Sequence, residues 1–144
     1  MKSLVFCVAM VFAVFGVHAQ GVVLPSDTAV HEPAEVIPAA VKAFSGRWEG
    51  KWDERMPHVL VVEEIKSATE ATVLYAWQAP PAANAWNAGW ARFTATIDGN
   101  ILRVPLSEGK KAWYELQADG SLKASYTRPN SSSQSNAVLR KVQP

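Results

Sequence analysis

From Gly46 onward the chain falls into short runs in which apolar and polar positions alternate, each bounded by Gly, Asp, Asn, Ser or Pro. Alternation with a period of two is the pattern of a strand with one face buried. It is clearest in 90–97, where Ala91, Phe93, Ala95 and Ile97 interleave with Arg92, Thr94 and Thr96, and in 70–78, through Val73, Tyr75 and Trp77. Strands are likewise predicted over 46–52, 58–66, 101–106, 111–116, 121–128 and 136–142. Pro105 implies that its strand ends at an edge or bulge. Asp98-Gly99-Asn100 and Asp119-Gly120 stand between alternating runs, where Asp-Gly favours a tight hairpin. Nearly every connection is too short for the crossover that a parallel pair needs. The product is an all-β, antiparallel up-and-down meander of about eight strands. Closure into a barrel removes the sheet edges and is favoured; a two-layer sandwich fits the same strand list.

Upstream the pattern changes twice. Lys2, the apolar run from Leu4 to Val17, and the exit Val17-His18-Ala19 have the three parts of a cleavable secretory signal over 1–19. The run is shorter than the roughly 20 residues a membrane-spanning helix needs. Residues 20–37, broken by Pro25 and Pro33, read as a linker, and the barrel domain is expected over 38–144. Pro38 suits the first position of a helical turn running to Phe44.

Cleavage before Gln20 would leave about 125 residues and remove the only cysteine, so the exported domain must be held by its apolar core alone. Loss of Lys2 would turn 14 basic and 13 acidic residues into 13 of each. A near-neutral chain argues against nucleic acid or an anionic membrane surface as a partner. No membrane association is expected once the leader is gone, and the destination is the periplasm or the external medium.

The first strand carries Gly46-Arg47-Trp48 just after the short helical turn. A Gly-x-Trp in that place resembles the lipocalins and the wider calycin-like barrels, and the similarity spans about residues 38–142. It implies that Trp48 packs at the closed end with a basic residue of the last strand across it: Arg140, or alternatively Lys141.

In a meander the odd connections all lie at one end and the even ones at the other. The even connections are tight, whereas the odd ones, 53–57, 79–89, 107–110 and 129–135, are longer and form an open rim suited to ligand binding. Trp86 sits in the longest rim loop, placed to fold over the mouth, to stack on a planar ligand or to cap the core. Alternation points Tyr75, Trp77, Phe93, Tyr114 and Tyr126 inward. With Trp86 they are the candidate ligand-binding residues, unless those side chains fill the interior completely. Trp48 and Trp52 read as core.

Catalytic and metal-binding patterns are sparse. No histidine pair has metal-ligand spacing, and no cofactor is implied. Asp53, Glu54 and His58 read as a solvated rim loop, with a His58–Asp53 acid–base pair as the alternative. Glu63 and Glu64, adjacent on a strand, are expected on opposite faces. Two function classes follow first: a carrier or sensor for a small apolar or aromatic ligand, or an envelope interaction or inhibitor module with a filled barrel and an outer patch of Trp90, Trp113 and Leu74 that engages another exported protein. An enzyme ranks third, since no inward carboxylate or histidine is expected on the strands.

Overall fold

Each alternating run becomes a strand, and the strands pair strictly in sequence. The computed structural model describes residues 22–78 and 88–143; the leader and most of the loop bearing Trp86 lie outside them. One helical turn, α1 (Ala39–Lys42), precedes β1 (Gly46–Trp52), β2 (Met56–Ile65), β3 (Glu70–Trp77), β4 (Gly89–Asp98), β5 (Ile101–Pro105), β6 (Lys111–Leu116), β7 (Leu122–Thr127) and β8 (Gln134–Val142). All neighbours are antiparallel, and β1 pairs with β8 through Arg47–Val142, Trp48–Lys141 and Glu49–Arg140, so the meander closes into a barrel.

Gly50 is what lets that seam close. A side chain there would place its Cβ 2.4 Å from the Val138 carbonyl oxygen and 3.0 Å from Leu139 Cγ. The backbones of β1 and β8 therefore approach to a distance only glycine permits.

The base of the barrel is packed solid. Leu60, Val62, Val73, Leu102, Leu122 and Leu139 are fully buried inside it, and Ile37, Val41 and Phe44 from the α1 region close the end. Trp48 joins this plug, donating its indole N–H to the Phe44 carbonyl at 2.9 Å. The cation across Trp48 is Lys141, not Arg140. Leu139 points in, Arg140 out and Lys141 in, which places the Lys141 Nζ 4.9 Å from the Trp48 ring centroid and 2.9 Å from the Ala43 carbonyl. Burial lowers the Lys141 pKa from its ordinary value.

The run Val59–Val62 lacks alternation because β2 is covered on both faces. Val59, Val61, Leu74 and Ala76 form a second apolar cluster on the outside of the barrel, and Val22 and Leu24 pack over it. Residues 22–36, which read as a linker, thus lie along the wall. Arg92 fixes them there: it binds Glu63 through Nε and Nη2 at 2.8 and 3.1 Å and Asp27 at 2.9 Å. The His31 amide adds a bond of 2.8 Å to the Glu63 carbonyl. The Arg92 guanidinium in turn lowers the Asp27 pKa. Glu63 and Glu64 do not take opposite faces, because the β2–β3 register shifts between Val62 and Glu64. The bulge absorbs one residue, so the alternation resets and both carboxylates lie outside.

Candidate functional site

Above the solid base the described residues enclose a hollow. A cavity of about 220 Å³ opens at the end formed by the odd connections. Its wall is mainly apolar, with Trp52, Met56, Tyr75, Trp77, Phe93 and Tyr126 the large contributors. Most stand at the rim end of their strands: Trp52 closes β1, Met56 opens β2, Tyr75 and Trp77 end β3 and Tyr126 lies near the end of β7, while Phe93 lies midway along β4. Small or polar residues, among them Ala91, Ser107, Lys110 and Arg128, complete the mouth.

Of the six expected ligand-binding residues, Tyr75, Trp77, Phe93 and Tyr126 line this cavity. Tyr114 does not reach it. Its partners across the sheet, Leu102 and Ala124, belong to the solid base, and Tyr114 is fully buried among them. Trp86 lies outside the described residues. Alternation identified the inward face but not depth along the barrel axis, which separates Tyr114 from the others. Trp52, read as core, is both core and floor. Met56 joins the wall because β2 begins two residues before the predicted strand over 58–66.

His58 is the largest departure from the sequence reading. It is neither solvated nor paired with Asp53. It sits in β2 opposite Gly50, points inward and has 0% exposure. Asp53 instead turns outward to the β8 backbone, accepting the Asn136 amide at 3.0 Å. The signal was the register His58, Leu60, Val62, hidden within a run whose two faces are both buried.

The bonds of His58 settle its tautomer. Nδ1 lies 2.8 Å from the Ala76 carbonyl, which can only accept, so Nδ1 carries the proton. Nε2, 2.8 Å from the Tyr114 hydroxyl, then accepts from it in the neutral ring. The imidazole is also enclosed by aromatic rings, with centroids 5.1 Å away at Trp52 and 4.4 Å at Tyr75. Burial lowers its pKa to about 4, against a small upward pull from the Ala76 bond. Burial also raises the Tyr114 pKa well above the ordinary phenol value. With both nitrogens committed to the protein, His58 acts here as a cross-brace under the cavity floor rather than as a base facing substrate.

Two polar groups at the floor are less settled. The Trp52 indole N–H is buried and has no hydrogen-bond partner. It lies near enough to the Tyr75 hydroxyl to favour the phenolate slightly, although burial dominates and raises the Tyr75 pKa.

Outside the barrel, Leu74 is covered by the second apolar cluster and forms no exposed patch with Trp90, which is 43% exposed beside Arg92. Among the described residues no group of three or more His, Cys, Asp and Glu side chains is arranged to hold a metal ion.

The closed eight-strand meander is compatible with a calycin-like fold. Comparison with protein-family models, curated proteins and solved structures finds no match to this chain.

Proposed function

We propose that this chain is an exported binding barrel that takes a small apolar or aromatic molecule into its open end. The observation that carries the reading is a hollow of about 220 Å³ with a mainly apolar wall above a base that is packed solid. Cores normally leave few voids larger than a water molecule, so this space is a departure from ordinary packing. A cavity of about 150 Å³ suffices for benzene, whereas drug-sized ligands use roughly 300 Å³ or more. The matching ligand is therefore compact, of one or two fused rings. The export part of the proposal rests on the charged, apolar and small-residue segments of the leader.

Naphthalene titrated calorimetrically into the purified barrel should bind saturably with a stoichiometry of one. Ala91, on the cavity wall opposite Tyr75, offers a plug. Ala91→Trp should weaken the binding at least about tenfold, or 1.4 kcal/mol. Absence of saturable binding to the unaltered protein would refute the reading.

A further inference from the structure

The floor of the cavity presents a buried donor that has no hydrogen-bond partner, with a phenol hydroxyl beside it. The Trp52 residue is 4% exposed, lines the cavity, and has a buried Nε1–H with no partner. Leaving a buried N–H unpaired is costly, so its persistence beside a cavity calls for an acceptor supplied from outside the fold. Tyr75 lines the same cavity, and its hydroxyl lies beside the Trp52 indole N–H. The other polar side chains next to the floor are already committed: His58 and Tyr114 bond to each other, and His58 also to Ala76.

We infer that the ligand is a compact aromatic molecule bearing a neutral carbonyl-type acceptor, which enters oxygen-first and is held at the floor by the Trp52 N–H and the Tyr75 O–H. A carbonyl oxygen has two lone pairs and can accept from both donors at once. A neutral acceptor matches two neutral donors in a buried setting, where an unpaired charge would be expensive. The cations that line the cavity stand away from the floor, Lys110 at the end of the loop after β5 and Arg128 just beyond β7. Lys110 is moreover bound to Glu108 at 2.7 Å. This inference rests on the binding role proposed above and specifies the chemistry of that same site.

A matched pair of probes separates the two ideas. Indane and 1-indanone share a fused bicyclic frame and differ in one carbonyl group. In the unaltered protein 1-indanone should bind at least as tightly as indane, although it is the more water-soluble of the two. Trp52→Phe and Tyr75→Phe keep an aromatic ring while removing one donor each. Each should lower the preference for 1-indanone over indane about tenfold, the equivalent of one hydrogen bond. Using the ratio of the two affinities cancels any change in cavity shape. The infrared carbonyl stretch of bound 1-indanone gives an independent reading on the unaltered protein, should either variant fold poorly. It should fall below its value in an alkane solvent. Binding of both probes with an unchanged ratio in the variants, or an unshifted carbonyl stretch, would overturn the acceptor inference while leaving the apolar pocket standing. Binding of neither probe would overturn both.

Discussion

Between pH 7 and pH 4 the barrel should lose about 3 kcal/mol of stability through His58 alone. In the folded chain this ring is neutral, enclosed and doubly hydrogen-bonded, and its pKa falls from 6.5 to about 4. In the unfolded chain it titrates normally. As the pH drops below 6.5 the unfolded state takes up a proton that the folded state refuses, so the equilibrium moves toward unfolding. The stability is complete above the unfolded pKa and is lost progressively until the folded pKa is reached. Asp27, Glu108 and Asp119 have depressed values and also cost stability in acid, but they do so as the pH falls below the ordinary carboxylate range. The interval from 6.5 to about 4 therefore reports mainly on His58. Urea unfolding at pH 7, 5.5 and 4 measures the loss. His58→Gln, which cannot titrate but keeps a donor and an acceptor, should be less stable at pH 7 and nearly flat over the same interval. An equal slope in both proteins would mean that His58 is solvated.

Gly50→Ala should destabilise the barrel by about 3 kcal/mol, near the upper end of the usual cost of overpacking. The added methyl would meet the Val138 carbonyl oxygen at 2.4 Å, and a strand backbone cannot give way as a flexible side chain can. The β1–β8 seam would have to widen, weakening the contact that makes the sheet a barrel. Gly99 supplies the comparison. An added Cβ there meets nothing within 4 Å, but its φ of +59° is left-handed. Gly99→Ala should cost only the conformational strain, about 1 kcal/mol. Midpoints of urea unfolding at pH 7 distinguish the two; equal, small losses would imply a looser seam.

Both predictions depend on features that differ in how visible they are in the sequence. Strand order and closure were legible because the odd and even connections differ in length and the Asp-Gly turns mark the tight end. The open end followed from parity, and with it Tyr75, Trp77, Phe93 and Tyr126. What alternation does not encode is height along the barrel axis, so Tyr114 looked like Tyr75 although one braces His58 and the other faces the cavity. It also fails where both faces of a strand are covered. The apolar outer cluster beneath Val22 and Leu24 turned β2 into an unbroken apolar run and concealed the inward direction of His58. A bulge has the same effect at Glu63 and Glu64, since one extra residue inverts every later assignment of face. The exchange of Lys141 for Arg140 across Trp48 reflects a register offset of one residue at the seam.

Among the described residues, the rim half of this closed barrel is empty apolar space. Crystals of the protein held under xenon pressure test it without assuming any ligand. Xenon enters apolar cavities of this size. A strong, ordered xenon peak is expected inside the open end, bounded by Met56, Tyr75 and Phe93. An interior in which side chains have closed over that volume, with no xenon between β3 and β7, would contradict it.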